Sequence, residues 1–327
     1  MIRTRVTVLV AAATALLLGA CGTTENTAST EPTAGSSGGP VTVTDSRGKE
    51  IKLDAPATKV VALEWAEAEM LVGLGVMPVG VADAEGYATW VTAAKLDGSV
   101  KDVGTRAEPS VDSIVALEPD LVVMEGGRGN ALVDQLEKHV PVLVAKGSDA
   151  TDNLGRMRSD VTMVATAVGK SAEGEKLLAD FDTAIAEGKK KIADAGAAGK
   201  SFAIADGWKE GSSVTIRMFG EGALVSQVGI QLGLRNAWTG ESDEVWGLGQ
   251  TDVEGLNALK DQDLEFFYNA SDGDDVFAEG LADNAIWKSF NFVKEGNLHR
   301  MPDGTWTFGG PLSAKQYLDE LVKVYTV

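Results

Sequence analysis

Short β-branched apolar runs alternate with helically spaced apolar positions in the first third of the chain. Residues 60–65 (VVALEW) predict a buried strand, and residues 66–74 predict a helix that ends before Gly75. A second strand is predicted at residues 79–81. Strands that alternate with helices are typical of a parallel sheet wrapped by helices, so the chain is predicted to be an α/β protein.

A related pattern returns in the second half of the chain. Residues 111–121 (VDSIVALEPDL) recur, one residue longer, as residues 253–264 (VEGLNALKDQDL), and residues 74–76 (LGV) are echoed by residues 232–234 (LGL). Each copy of the longer segment predicts a helix, a turn and a buried strand. The repeat indicates two lobes that share one α/β plan. The alternative is a chance coincidence of residues that commonly end helices.

Two helices are predicted between these halves. The first covers residues 154–168, and the second begins at Ser171, its predicted N-cap, and continues to Asp194 without a proline. About 24 residues at 1.5 Å each span roughly 36 Å, enough to connect two lobes as a semi-rigid pair. An ordinary helix within one lobe is the alternative. The predicted lobes are residues 41–152 and 198–327, joined by residues 153–197.

The first 20 residues have the pattern of a bacterial lipoprotein signal peptide. Arg3 and Arg5 precede a mostly apolar stretch at residues 6–18, which is followed by small residues and by Cys21, the only cysteine of the chain. A transmembrane helix needs roughly 20 apolar residues, so this stretch is too short to span a membrane. We therefore predict cleavage and acylation of the Cys21 thiol, for example by palmitate, on the extracytoplasmic face of the cell membrane.

Composition narrows the class of protein further. Residues 21–40 are small, polar and rich in Gly, Ser, Thr and Pro, so they predict a flexible tether. The net charge of −19, about −21 without Arg3 and Arg5, argues against nucleic acid and anionic lipid as partners. The two histidines, His139 and His299, have no metal-ligand spacing, and no catalytic triad is apparent. These observations favour binding over catalysis and predict no metal site.

Several segments carry a resemblance to a known family. The chain resembles the ferric hydroxamate-binding proteins of siderophore ABC importers in the same order along nearly all of residues 41–327. The matching segments are residues 60–71 (VVALEWAEAEML), 80–83 (GVAD), 87–91 (YATWV), 102–109 (DVGTRAEP), 236–241 (NAWTGE), 245–247 (VWG) and 306–314 (WTFGGPLSA).

The resemblance implies a class III substrate-binding protein, in which two Rossmann-like lobes are joined by one long α-helix. It implies a ligand held in a shallow cleft between the lobes and delivered to an ABC permease with a cytoplasmic ATPase. The siderophore, not the protein, would ligate the iron, so no cofactor is expected. The chain is expected to act as a monomer that contacts the membrane only through its lipid anchor.

The resemblance also implies which residues contact the ligand. Arg106 is expected to hydrogen-bond the hydroxamate oxygens, and the expected aromatic walls are Trp90, Trp246 and Trp306. Arg217 is a second candidate because it leaves a predicted strand toward a glycine turn; a surface arginine in an ion pair is the alternative. The other four tryptophans, Trp65, Trp208, Trp238 and Trp287, are expected to pack in the interior.

Three further residues are expected at the rim or lining of the cleft. Tyr87 lies three residues before Trp90 and is predicted to share the rim. Phe308 stands where the family pattern has a tyrosine, so one hydrogen bond to the ligand is lost. Arg128, in the loop EGGRGN, is predicted to line the cleft and to favour a more anionic or polar ligand; a solvated loop arginine is the alternative.

Two acids are candidates for docking onto the permease. Asp112 and Glu254 occupy matched positions in the repeated segments, one in each lobe. Family members use acids in such places to bind permease arginines, and a pore with two-fold symmetry needs one contact per lobe. The alternative is local: Thr251 and Glu254 have the spacing of a capping box, and acids are favoured at helix N-termini without any partner.

These observations predict a tethered substrate-binding lipoprotein that captures a ferric siderophore, of hydroxamate type. A cobalamin or haem receptor on the same fold is the nearest alternative, although haem needs an axial ligand that only Tyr87 offers. A lipid-anchored α/β hydrolase or reductase is the alternative from another class. It requires a nucleophile with its base, or a cofactor loop, that the sequence lacks.

Overall fold

The computed structural model describes residues 38–128, 130–211 and 213–327. The predicted signal peptide, Cys21 and the tether as far as residue 37 lie outside the described residues. Within the part of the chain that is described, no helix is long and apolar enough to cross a membrane.

A five-stranded parallel sheet organises the first half of the fold. Its spatial order is β5-β4-β3-β6-β7. The chain therefore adds β4 and β5 on one side of β3 and then crosses to add β6 and β7 on the other side. An antiparallel hairpin, β1–β2, precedes it. The strands are β1 (Val41–Thr44), β2 (Glu50–Leu53), β3 (Val60–Ala62), β4 (Gly80–Val81), β5 (Lys101–Asp102), β6 (Leu121–Glu125) and β7 (Val142–Ala145).

Helices between these strands cover the sheet, so β3 and β7 are buried along their whole length. The first helix ends as predicted, because Gly75 adopts a φ of 77° that few other residues tolerate. The order of strands reverses between β3 and β6, and ligands of α/β proteins bind at the carboxyl ends of such strands. The helices are α1 (Trp65–Gly73), α2 (Ala84–Trp90), α3 (Val111–Val115) and α4 (Asn130–Leu136).

The second half contains a mixed sheet rather than a purely parallel one. Its order is β11-β9-β8-β12-β13, with β10 also paired to β8. The β8–β9 and β9–β11 pairs are antiparallel, whereas β8–β12 and β12–β13 are parallel. The strands are β8 (Ser201–Glu210), β9 (Ser213–Phe219), β10 (Arg235–Asn236), β11 (Leu248–Thr251), β12 (Leu264–Tyr268) and β13 (Leu298–Arg300).

The repeated segments adopt the predicted helix, turn and strand, but with different helices. The first copy forms α3 and then β6, and the second forms a 3-10 helix at Gly255–Leu259 and then β12. The capping box of Thr251 and Glu254, which was the alternative to a docking role, is not formed among the described residues. Asp252 caps this turn instead, because its Oδ1 accepts a hydrogen bond from the Gly255 N–H at 2.9 Å.

The remaining helices lie between and after the sheets. They are α5 (Asn153–Ala167), α6 (Ser171–Asp194), α7 (Leu224–Gln231), α8 (Asn291–Lys294) and α9 (Pro311–Tyr325). Helix α6 has the predicted 24 residues and ends at Asp194. Its N-cap is Lys170, not Ser171, and no side chain caps it. The lobe boundaries proposed from the sequence remain a prediction.

A buried carboxylate joins α1 to the C-terminal helix α9. Glu69 accepts hydrogen bonds from the backbone N–H groups of Leu312 and Ser313 at 3.0 and 2.9 Å, and from the Ser313 hydroxyl at 2.5 Å. These groups form the first turn of α9, where the helix dipole favours a negative charge. The last element of the chain is thereby fixed against the first sheet.

Candidate ligand-binding site

A cavity of about 320 Å³ lies at the carboxyl ends of β3 and β6, where the strand order reverses. Both halves of the fold line it. The first half contributes Glu64, Ala66, Glu67, Arg106, Glu125 and Gly147, and the second contributes Arg217, Trp246, Leu248, Trp306 and Phe308. The cavity therefore has two arginines, three aromatic rings and three acids around one space.

Arg106 is held in a fixed orientation by a carboxylate and two aromatic rings. Its Nε and Nη2 donate to Glu64 Oε2 at 2.8 and 2.6 Å. Its guanidinium carbon lies 4.2 Å from the ring centroid of Trp65 and 5.5 Å from that of Trp306. Burial lowers the pKa of Arg106 and nearby carboxylates oppose this effect, but arginine stays charged in proteins. Nη1 has no hydrogen bond to any described residue, so its donors can face a ligand in the cavity.

Arg217 is positioned in a similar way in the second half. It lies opposite Asp206 in the register of the β8–β9 pair, and its Nε donates to Asp206 Oδ1 at 2.8 Å while Nη2 pairs with Oδ2. Its guanidinium carbon lies 5.2 Å from the ring centroid of Phe308 and 5.9 Å from that of Trp208. The two arginines are thus held in the same way: a carboxylate orients each guanidinium group, and aromatic rings pack against it.

The aromatic residues form a continuous cluster at the junction of the two halves. Trp306 contacts Trp65 and Phe308, with ring centroids 4.9 and 5.2 Å apart, and Phe308 contacts Trp246 at 5.6 Å. Trp90 contacts Trp306 at 6.0 Å but is not among the residues that line the cavity. Trp90 thus contacts a ring of the cavity wall without lining the cavity itself.

Some expected positions differ in the structure. Tyr87 is 1% exposed and its hydroxyl donates to the Ala94 carbonyl at 2.6 Å, so it belongs to the core and not to the rim. Trp208 is 37% exposed and does not pack in the interior, because it lies on the hairpin of β8 and β9 beside Arg217. Trp65, Trp238 and Trp287 are buried as predicted. The Arg128 side chain lies outside the described part of the structure.

The three acids of the cavity were not among the residues predicted from the sequence. Glu64 lies two residues after the end of β3, Glu125 ends β6, and Glu67 lies in the first turn of α1. A signal was present, because polar residues at the carboxyl ends of neighbouring parallel strands are brought to one edge of the sheet. Burial raises the pKa of Glu125, although Arg106 and Arg156 oppose that effect.

Glu67→Gln is expected to change how stability depends on pH. Burial, followed by repulsion from Glu125 and Asp160, raises the pKa of Glu67 from 4.5 to about 8. The folded protein then keeps a proton that the unfolded chain releases, so wild-type stability should fall as pH rises from about 4.5 to 8. Glutamine does not titrate. From pH 5.5 to pH 7 the variant should gain about 2 kcal/mol relative to the wild type in urea unfolding.

Exposed Glu187 on α6 offers a matched control for this measurement. Glu187→Gln should show the same pH profile as the wild type. A Glu67→Gln difference that stays constant over this pH range would show that Glu67 is ionised in the folded protein.

The two candidate docking acids are both exposed. Asp112 lies in the first turn of α3, whose N-cap Ser110 accepts a hydrogen bond from the Ser113 N–H at 3.2 Å. Glu254 immediately precedes the 3-10 helix at Gly255–Leu259. Neither acid is needed as a cap, since Ser110 and Asp252 perform that role.

Comparison with known proteins identifies the family. Residues 60–305 match the family described as periplasmic binding protein. The chain is 29% identical over 260 residues to the iron(3+)-hydroxamate-binding protein FhuD of Escherichia coli (strain K12), covering 80% of this chain and 84% of that protein. It is 26% identical over 316 residues to the probable siderophore-binding lipoprotein YfiY of Bacillus subtilis (strain 168), covering 95% and 94%.

A solved structure shares the fold. The Fe3+-Desferal-bound siderophore-binding protein FhuD of Vibrio cholerae superimposes with a TM-score of 0.69 at 22% identity, covering 83% of this chain and 98% of that one. The α/β class, the resemblance read from the sequence segments and the prediction of binding rather than catalysis are confirmed by these relatives. The chain belongs to the periplasmic binding protein family.

Proposed function

We propose that this protein captures a ferric siderophore, of hydroxamate type, and delivers it to an ABC permease. The observation that carries the proposal is the cavity between the two sheets, in which Arg106 faces an aromatic wall of Trp246, Trp306 and Phe308. Relatives in E. coli and B. subtilis are named as iron-hydroxamate-binding and siderophore-binding proteins, which supports the same class of ligand.

The chemistry of a ferric chelate matches these side chains. Oxygen atoms of the siderophore saturate the iron, so a receptor can offer donors to their outer lone pairs and apolar rings to the organic scaffold. A guanidinium supplies the donors in a fixed fork. Ferric trishydroxamates carry no net charge at the metal centre, which suits a cavity where Arg106 and Arg217 are each paired with a carboxylate.

Quenching of tryptophan fluorescence tests this proposal directly. The purified protein is titrated with ferrichrome, ferric desferrioxamine, ferric citrate, a ferric catecholate, haem and cobalamin. Saturable quenching by a ferric hydroxamate, without response to its iron-free form, is the expected result. Saturation by haem or cobalamin alone would replace the proposed ligand with one of those alternatives, and saturation by citrate or catecholate alone would remove the hydroxamate assignment.

Phe308→Tyr is expected to tighten ferric hydroxamate binding by about three- to tenfold. Phe308 is half-buried and lines the cavity, so a hydroxyl on its ring adds one donor beside the ligand oxygens. One such hydrogen bond contributes roughly 0.5–1.5 kcal/mol. Isothermal titration with ferrichrome measures the change. The control is Val245→Tyr, which adds a tyrosine at an exposed position next to Trp246 in the sequence but outside the cavity lining, and it should leave affinity unchanged.

We also place the protein at the extracytoplasmic face of the cell membrane, anchored through an acylated Cys21. The leader that precedes Cys21 supports this proposal, as does the lipoprotein name of the B. subtilis relative. Asp112 and Glu254 are then the proposed contacts to the permease, one from each half of the fold.

Reversing the charge of both docking acids is expected to impair uptake without changing ligand affinity. The Asp112→Lys, Glu254→Lys double variant replaces two attractive contacts with repulsive ones, and we expect siderophore uptake to fall by about tenfold or more. Uptake of radioactive iron by cells reports the first effect and fluorescence titration the second. The control is Glu173→Lys, an exposed acid on α6, which should transport normally. Normal uptake by the double variant would refute the docking role.

A further inference from the structure

One residue that lines the cavity has a buried carboxyl oxygen without a hydrogen-bond partner among the described residues. Glu67 is only 1% exposed, yet it is one of the residues that line the cavity. Its Oε2 has no hydrogen-bond partner among the described residues. Buried polar atoms of this kind are rare in folded proteins, because leaving one unsatisfied costs about 1–3 kcal/mol. Such an atom is expected if the carboxyl group gains a hydrogen-bond partner only when the ligand binds.

The charges that face Glu67 come from several elements. They are Glu64 after β3, Arg106 in the loop after β5, Glu125 at the end of β6, Arg156 and Asp160 on α5, and Arg217 on β9, which lines the same cavity. Arg106 pairs with Glu64 at 2.6 Å and Arg156 with Asp160 at 3.1 Å. Among the described residues, neither Glu67 nor Glu125 has an ion pair with a basic side chain.

Burial favours the neutral form of Glu67. Removing a carboxyl group from water disfavours its charge, and repulsion from Glu125 and Asp160 adds to this effect. Glu67 is the most deeply buried of the three acids that line the cavity, and its pKa of about 8 leaves it mostly neutral at pH 7. A neutral carboxyl group is a donor through its O–H, whereas the ionised form is only an acceptor.

We propose that Glu67 is a ligand-binding residue that donates, as a neutral acid, a hydrogen bond from its buried carboxyl group to an oxygen of the bound chelate. This inference rests on the proposed function. A ferric hydroxamate presents oxygen acceptors to its receptor, so a carboxylic acid complements it in the same way as a guanidinium. An ionised Glu67 repels those oxygens, and binding is therefore linked to retention of one proton.

The pH dependence of ferrichrome binding tests the role of Glu67. Dissociation constants for ferrichrome, which carries no titrating group near neutrality, are measured at pH 7 and pH 9 by fluorescence quenching. The wild-type Kd should rise about tenfold over this range, as expected for loss of one proton with a pKa near 8. Glu67→Gln keeps an N–H donor that does not titrate, so its Kd should change less than twofold. Glu67→Met keeps the size without the donor and should bind weakly at both pH values.

Circular dichroism establishes that each variant is folded, and the visible spectrum of ferrichrome establishes that iron stays chelated at both pH values. Glu187→Gln should retain the wild-type pH dependence. The inference is overturned if Glu67→Gln loses affinity with pH as the wild type does, which would assign the titration to another group such as Glu125. Wild-type affinity for Glu67→Met, or tighter wild-type binding at pH 9, would also overturn it.

The outcomes separate this inference from the proposed function. If the wild type binds ferrichrome and both Glu67 variants have the Kd of the wild type at pH 7 and at pH 9, the proposed function stands and the role of Glu67 fails. If neither ferrichrome nor ferric desferrioxamine binds the wild type at pH 7, the proposed function fails and the role of Glu67 in hydroxamate binding fails with it.

Discussion

Arg106→Ala is expected to weaken ferric hydroxamate binding by about 30- to 100-fold. The change removes the charged donors that face the cavity, and hydrogen bonds from charged groups contribute roughly 1.5–3 kcal/mol. Such a loss corresponds to about one to two decades in Kd. It also removes the cation that lies 4.2 Å from the Trp65 ring centroid and holds Glu64. Fluorescence titration with ferrichrome measures the change.

Arg106→Lys separates charge from geometry at this position. Lysine keeps the positive charge but loses the planar fork that pairs with Glu64 and stacks on Trp65, so we expect intermediate affinity. The matched control is Arg158→Ala on α5, whose exposed pair with Asp182 lies outside the cavity. It should bind as the wild type does. Unchanged affinity in Arg106→Ala, with a normal circular dichroism spectrum, would remove Arg106 from the site.

Glu69→Ala is expected to lower the free energy of unfolding by about 3–5 kcal/mol. The variant leaves the first turn of α9 without its carboxylate, and one partly buried donor of Leu312 and two buried donors of Ser313 lose their acceptor. Removing one partner of a buried charged network has costs of this size. Urea unfolding followed by circular dichroism measures the change. Helix α9 packs against α1 through this contact, so the loss should affect the whole fold and not one local element.

The control for Glu69 is an acid at a helix N-terminus that is not buried. Glu173 lies in the first turn of α6, is exposed and pairs with Lys170. Glu173→Ala should cost less than about 0.5 kcal/mol. Glu69→Gln keeps one acceptor oxygen and should lie between the two. A Glu69→Ala variant as stable as the wild type would show that burial of the carboxylate already offsets its hydrogen bonds.

Local patterns in the sequence determined the α/β class and the course of the long helix. The apolar spacing and the glycine stop predicted α1 to within one residue, because a positive φ at Gly75 ends the helix there. The length of α6 followed from uninterrupted helical spacing that ends before a glycine at position 196. These features depend on neighbours a few residues apart, which the sequence displays directly.

Family resemblance predicted Arg106, Trp246, Trp306 and Phe308, and the strand pattern added Arg217; these five residues line one cavity. It did not separate side chains that face the cavity from those behind it. Trp90 and Tyr87 lie on the same short helix, yet one contacts Trp306 and the other is buried with its hydroxyl bonded to the Ala94 carbonyl. The rotation of a two-turn helix about its axis decides this, and packing against the sheet sets that rotation.

Only the tertiary structure determined which acids are buried around the cavity. Glu64, Glu67 and Glu125 look in the sequence like ordinary solvated charges, since burial of a carboxylate depends on elements that are distant in the chain. The strand order β3-β6 brings Glu125 beside Glu64, and α5 adds Arg156 and Asp160. The sequence by itself thus determined the class of fold and the residue types of the cavity. Their charges, partners and protonation were decided by which strands became neighbours, because electrostatic free energy depends on distance and burial in three dimensions.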